Sequence, residues 1–287
     1  MRTIIALAAA AGLVAACGRT DNARTYQLTG QILVVKLATN EVLVKHDDIP
    51  GFMPAMTMPY TVKDAAIIRE RAAGDLITAT LEVAPEGAHL SAMTKTGSAP
   101  LPEDARTTIP AAANVHLLQA GDPVPDTKLT DQDGASIALT DFKGSAVAVT
   151  FIYTRCPLVQ FCPLIDRRFA EVQKLVAADP ALAGQVRLMS ISFDPQFDRA
   201  ATLRAHAGKL GADPTVWRFA TADEPTVERL AAEFGVNVIR EKDGTITHNL
   251  RTAIVAPTGH VTSIVDNNAW TADELVTGLK NALSASH

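Results

Sequence analysis

Met53, Met56 and Met58 fall within six residues, inside the stretch HDDIPGFMPAMTMPY that runs from His46 to Tyr60. They are half of the six methionines in the chain. A methionine stripe that faces a core needs helical spacing, and Pro50, Gly51, Pro54 and Pro59 forbid a helix here, so the segment reads as a broken loop. Thioethers beside an imidazole make a donor set for a soft metal ion. Met56 and Met58 are two apart, so an extended backbone points both to one face, where His46 completes a three-ligand site. The competing reading is three methionines plugging the end of a β structure; the prolines argue against it, because they stiffen the loop as a preformed site requires.

A second group of soft donors lies far downstream. In TFIYTRCPLVQFCPLIDRRF a buried strand leads through a loop carrying Cys156 and Cys162 into a helix. Cys162 falls at the helix N-terminus, where unpaired amides and the macrodipole favour a thiolate. Both disulfide exchange and metal ligation use that thiolate. Five residues separate the cysteines. A two-residue spacing holds the sulfurs in a tight, easily exchanged disulfide, whereas this longer loop with Pro157 can splay them around an ion. An inert disulfide closing a short loop is the alternative.

The elements that must position these groups form two domains. Residues 26–96 are β-rich: YQLTGQILVVKLATNEVLVKHDDI alternates for two strands about Thr39-Asn40, and 75–83 with 87–95 form a hairpin. KDAAIIRERAA supplies a helical turn or two. The short strands predict a small, closed, OB-like barrel. Residues 97–117, rich in Pro, Ala and Thr, form a semi-extended linker. From 118 to 287 strands and helices alternate: strands at 146–153 and 186–193, helices at 163–178, 199–210 and 224–235 with Gly235 as a cap, a hairpin about Pro257-Thr258-Gly259, and a closing helix at 272–284. That order is thioredoxin-like. In such a topology the loop before the RTAIVA strand lies beside the first helix's N-terminus, and of the seven histidines only His248 is placed there.

The N-terminus sets the compartment. MRTIIALAAAAGLVAAC has one positive charge, Arg2, and an apolar run too short for a transmembrane helix, so residues 1–16 read as a secretory signal. Val14-Ala15-Ala16-Cys17 resembles a bacterial lipoprotein lipobox. Lipidation of Cys17 accounts for an otherwise stray thiol and tethers the chain, through residues 17–25, to a membrane facing the periplasm. Of three cysteines, Cys156 and Cys162 remain as the thiol pair. A net charge of −5 without a basic patch excludes nucleic acid as a partner.

Residues 118–287 resemble the Sco/SenC family of membrane-tethered copper chaperones, on FIYTRCP…CP, SISFDP, VWRF and THNLRTAIVAPTG. The resemblance implies a thioredoxin-like fold, with Cys156, Cys162 and His248 as copper ligands and Asp194 near the site. The family pattern has three residues between the cysteines; the five here leave more room for thiol-disulfide chemistry. Residues 26–96 resemble the copper- and silver-binding barrel of the CusF type, which implies His46, Met56 and Met58 as ligands, with Met53, standing where that family has a Trp, as a third thioether or a cap. Thioethers suit Cu(I) in an oxidising compartment because they neither deprotonate nor form disulfides.

The resulting expectation is a lipid-anchored, two-site copper protein that captures copper on the barrel. It passes the ion to the cysteine site and delivers it as Cu(I) or Cu(II) to a copper enzyme, by family resemblance a cytochrome oxidase subunit. A periplasmic thiol-disulfide oxidoreductase using Cys156 and Cys162 is the alternative, and a copper-tolerance buffer is a third reading. A peroxidase is disfavoured, since P-x-x-x-T-x-x-C is absent.

Overall fold

The computed structural model describes residues 23–37, 40–84, 87–101, 115–240, 244–266, 268 and 270–284. Cys17, the signal segment and most of the linker lie outside these residues.

The first unit is a five-stranded antiparallel sheet built from β1 (Arg24–Lys36), β2 (Glu41–His46), β3 (Met56–Thr61), β4 (Asp75–Ala84) and β5 (Gly87–Ser98), in the order β3-β2-β1-β4-β5. Strict alternation in β4 sends Ile77, Ala79, Leu81 and Val83 inward. They meet Leu28, Ile32, Val42 and Val44 in a core. A single 3₁₀ turn at Ala65–Ile67 is capped by the Asp64 carboxylate, which accepts the Ala66 amide.

The sheet curls without closing, which corrects the expected closed barrel. Just past the end of β3 the chain meets β5 at an isolated bridge between Val62 and Leu90 and not along a ladder. Six residues of β3, with Pro59 lacking an amide donor, do not supply a ladder. Met53 stays in the loop, but from Met56 the methionine segment is a strand that runs through Thr61. It pairs with β2 so that Met56 stands opposite His46 and Met58 opposite Val44.

The second unit is a seven-stranded mixed sheet ordered β14-β13-β8-β9-β10-β6-β7. Its strands are β6 (Leu129–Asp131), β7 (Ser136–Ile137), β8 (Ala146–Ile152), β9 (Val186–Ser192), β10 (Trp217–Thr221), β13 (Arg251–Val255) and β14 (Val261–Asp266). β8, β9 and β10 run parallel, and every residue of β8 is buried, as its unbroken apolar run requires. Among the described residues, four α-helices cover the sheet: α1 (Cys162–Ala178), α2 (Ala200–Leu210), α3 (Glu224–Glu233) and α4 (Ala272–Ser284). α1 buries Ile165, Phe169, Val172 and Val176, the predicted face, and Phe169 meets Trp217 and Trp270.

A separate two-stranded ribbon, β11 (Val238–Arg240) with β12 (Ile246–His248), carries the histidine. Gly235, at φ 74°, ends α3 in the left-handed conformation that turns the chain toward this ribbon. Among the described residues, no helix is long and apolar enough to cross a membrane.

Candidate metal centre

Cys162 is the first residue of α1 and is buried; Cys156, half-buried, begins the preceding loop, and both are free thiols. The loop is ordered by its own bonds. The Phe161 amide donates to the Leu158 carbonyl at 3.0 Å, Arg167 donates to the Val159 carbonyl at 3.3 Å, and Asn268 donates to the Gln160 carbonyl.

His248 arrives from β12 and places Nε2 3.5 Å from Cys162 Sγ. Its Nδ1 donates to the Asn249 carbonyl at 2.9 Å, which fixes the tautomer and leaves the Nε2 lone pair toward the sulfur. Thiolate and imidazole bonds of about 2.3 and 2.0 Å, as on zinc, put S and N about 3.5 Å apart at a tetrahedral angle. The pair is therefore spaced as two ligands of one ion. Phe193 and Tyr153 wall the imidazole, with ring centroids at 4.6 and 5.8 Å. Burial lowers the His248 pKa to about 4, so the ring is neutral and a competent ligand at neutral pH.

The two thiols are unequal. A hydrogen bond with Cys162 lowers the Cys156 pKa to about 7, against the opposing effect of burial. Burial pushes Cys162 well above the ordinary thiol value. The expected thiolate bias at the helix N-terminus is thus overridden by desolvation: Cys162 has the predicted position, and Cys156 has the acidity.

Behind the loop lies a polar clamp. Asp194, buried at 1 % exposure, accepts from Arg155 Nε at 2.6 Å and faces Arg240 at 4.0 Å. Its carboxylate thus meets guanidinium groups, and through Arg155 it positions the residue before Cys156. Asp198, fully buried, accepts from the Thr154 amide at 2.9 Å, from the Thr154 hydroxyl, and from Ser192 at 2.6 Å. The sequence reading missed Asp198, Arg155 and Arg240. The available signal was a second acid four residues after Asp194, where an apolar strand has just ended.

The N-terminal donor set is built the same way. His46 is 2 % exposed, its Nδ1 donates to the Asp47 carbonyl at 2.7 Å, and its buried Nε2 has no hydrogen-bond partner. An orphaned buried acceptor is costly unless something fills it, and the residue that stands opposite His46 is Met56. Burial lowers the His46 pKa, which keeps this ring neutral as well. Met58 is buried and Met56 half-buried. Met53 is buried too, and its sulfur accepts from the Tyr60 hydroxyl at 3.8 Å. Gly30 lies opposite His46, where an added Cβ would stand 2.4 Å from the Lys45 carbonyl oxygen and 2.8 Å from the His46 Cα. Only glycine lets β1 pass that close, a further residue the sequence reading missed.

Members of both sets share one space. Met56 and Met58 from β3 and Cys156 and His248 from the second unit line a single pocket, with Tyr153, Leu158, Phe161 and Ile246 among its apolar walls. β3 packs beside β12. Among the described residues, no cluster of three or more His, Cys, Asp and Glu side chains stands in a metal-holding arrangement. The nitrogen and sulfur donors converge, and Cys156, the second thiol of the expected set, sits on the pocket wall.

The SCO1/SenC family model matches residues 118–284 of 287, more than half of the chain. The chain belongs to the SCO1/SenC family. A second match covers residues 25–95 and is to the copper binding periplasmic protein CusF. No curated protein matches this SCO1/SenC chain. Solved structures match its second unit and give the fold. A SCO1/SenC family lipoprotein from Bacillus anthracis str. Ames is 22 % identical, with 58 % of this chain and 98 % of that one covered at a TM-score of 0.51. A putative electron transfer protein from Aquifex aeolicus VF5 is 21 % identical over 58 % and 95 %, with a TM-score of 0.50. BsSco, a member of the Sco family of cytochrome c oxidase assembly proteins, is 24 % identical over 58 % and 96 %, again at 0.50. The thioredoxin-like architecture read from the sequence is the one the chain has.

Proposed function

We propose that this SCO1/SenC chain is a copper carrier with two binding sets, residues 26–96 forming the capture unit and residues 118–287 the delivery unit. His46, Met56 and Met58 take Cu(I); Cys156, Cys162 and His248 hold copper more tightly through two thiolates; and the ion is then handed to a copper enzyme, such as a cytochrome oxidase subunit. The observation that carries this reading is the 3.5 Å spacing of Cys162 Sγ and His248 Nε2, with the imidazole held neutral and its free lone pair aimed at the sulfur. The CusF match over residues 25–95 supports copper at the first set as well.

A signal over residues 1–16 and lipidation at Cys17 place the chain on the periplasmic side of a bacterial membrane. The lipoprotein nature of the B. anthracis relative supports that placement.

Copper titration of the reduced chain tests the reading. Two ions bind; Cys156→Ser, Cys162→Ser or His248→Gln removes one of them, and Met56→Leu with Met58→Leu removes the other. Cu(II) at the cysteine set gives intense thiolate charge-transfer absorption in the wild type and in the methionine variant but in none of the cysteine or histidine variants. A chain whose thiols remain fully reactive at two equivalents of copper overturns it.

A second reading has its own observation. A half-buried thiol lowered to about 7 beside a buried, high-pKa partner is the asymmetry of a nucleophilic and a resolving cysteine. As an oxidoreductase the chain would reduce client cysteines and depend on an external reductant. Efficient reduction of a test disulfide without copper binding decides for this alternative.

A further inference from the structure

Resting on the copper reading above, we propose that the two donor sets act as one shared copper station. In it Cu(I) is held jointly by thioethers of Met56 and Met58 and by the Cys162–His248 pair while it passes between the units. The loop between the cysteines is the peg that holds the station together.

Three observations carry this. Met56, Met58, Cys156 and His248 line the same pocket, although they come from units separated by the linker. The strand of the methionines, β3, lies beside the strand of the histidine, β12, so the contact is made by the ligand-bearing elements themselves. The peg is Leu158 and Phe161: both pack on the core of the first unit, and Phe161 also packs on the core of the second. Both residues belong to the five-residue segment between Cys156 and Cys162, so the unusual length of that segment has a use. It provides apolar side chains that dock one unit on the other without displacing either sulfur.

The chemistry is ligand exchange at constant oxidation state. Cu(I) leaves a thioether as a thiolate binds, each thiol that joins gives its proton to solvent, and no electron moves. Cys162 and His248 give the ion two donors, and a thioether from the facing wall is the third until Cys156 replaces it. Tyr153, Pro157 and Ile246 make the surrounding wall mostly apolar, so water competes poorly for the ion in transit.

The test uses the full chain with selenomethionine in place of methionine and Met53 replaced by Leu, fully reduced, with one equivalent of Cu(I). Copper-edge X-ray absorption gives the selenium occupancy around copper, scaled to a Cys156→Ser/Cys162→Ser chain in which all copper sits on the thioethers. Alkylation gives the fraction of Cys162 protected by copper. An ion that merely divides itself between two separate sites makes the two fractions sum to one; a shared ion makes the sum exceed one. We expect a sum well above one in the wild-type loop, falling to one in Leu158→Ser/Phe161→Ser, where each set still binds alone. A sum of one in the wild-type loop overturns the shared station and needs no variant to fold. Full thiol protection without selenium around copper overturns it while leaving the cysteine site standing. Absence of thiol protection overturns both the station and the copper reading on which it rests.

Discussion

His46 and His248 are built alike: each donates Nδ1 to the carbonyl of the next residue, at 2.7 and 2.9 Å, and each keeps a buried, unprotonated Nε2, which at His248 lies 3.5 Å from Cys162 Sγ and at His46 has no hydrogen-bond partner. The bond to the following carbonyl settles the tautomer before any ion arrives, and burial holds both rings neutral. Neither histidine has to lose a proton or rotate in order to bind.

The burial of His248 makes the fold sensitive to acid. Its pKa of about 4 in the folded chain lies below the ordinary 6.5, so the unfolded chain takes up the proton first as pH falls. The contribution is complete above pH 6.5 and is lost between 6.5 and 4. At about 1.4 kcal/mol per pH unit this amounts to roughly 3 kcal/mol. Denaturant unfolding of the second unit at pH 7 and at pH 4.5 measures it. His248→Gln is expected to flatten the difference by most of that amount, and an equal pH dependence in both proteins would refute the assignment.

The thiols are expected to differ in the reduced, metal-free chain. Cys156, lowered to about 7, reacts with iodoacetamide along a profile with its midpoint near pH 7, whereas Cys162, raised by burial, reacts slowly throughout neutral pH. Mass spectrometry of partially alkylated protein reads both rates. The reverse order would mean that the helix N-terminus outweighs desolvation.

Most of the second unit was legible in the sequence because its strands are continuous apolar runs and its helices carry period-3.6 faces; α4 begins and ends where the pattern puts it. The placement of His248 followed from topology once the strand–helix order was read. β3 was less legible, because prolines that forbid a helix still permit an edge strand, and Pro59 sits inside one. Openness of the first sheet depends on β3 failing to ladder with β5, a long-range pairing that no local pattern encodes. Asp198 and Gly30 were missed for a related reason. One acts through three donors on two separate segments, and the other through the backbone of a strand that becomes its neighbour only on folding.

Asp198 therefore offers a test of the clamp behind the cysteine loop. Asp198→Ala leaves the half-buried Thr154 amide and the buried Ser192 hydroxyl without their acceptor, at a cost of about 1–3 kcal/mol for the hydroxyl and less for the amide, which water can reach. Asp198→Asn retains the shape and one acceptor oxygen and is expected to cost less. Copper affinity at the cysteine set should fall in the order wild type, Asn, Ala, with binding at His46, Met56 and Met58 unchanged. An Ala variant that keeps full copper affinity while losing stability would make Asp198 a residue of the fold alone.

Gly30 tests the first set from the backbone side. A methyl group at residue 30 meets the Lys45 carbonyl and the His46 Cα, so Gly30→Ala must push β2 away from β1 at the histidine. The methyl also meets the core side chain of Val44, whose Cγ1 would stand 2.9 Å away and must shift, while core residues such as Leu81 lie elsewhere on the sheet and the unit should remain folded. Ag(I) or Cu(I) affinity at this set is expected to drop about tenfold or more, with amide shifts concentrated at residues 29–31 and 44–47. Unchanged affinity would show that the His46 position tolerates displacement.

The three methionines are expected to separate into two ligands and one packing residue. Met56 and Met58 line the shared pocket, while Met53 is buried with its sulfur bonded to the Tyr60 hydroxyl. Leucine conserves most of the volume but has no lone pair, so Met→Leu removes ligation and spares packing. Met56→Leu or Met58→Leu should each weaken Cu(I) binding at this set by about tenfold or more. Met53→Leu should leave affinity within about twofold and cost under about 1.5 kcal/mol of stability. Because softness is the basis of selection, Zn(II) should not compete with Cu(I) in any of these proteins. The measurement is competition with a Cu(I) indicator on the Cys156→Ser/Cys162→Ser chain, where only the thioether set reports. Equal losses for all three methionines would make Met53 a full ligand that must first release Tyr60, and a set that binds Zn(II) as well as Cu(I) would end the thioether assignment.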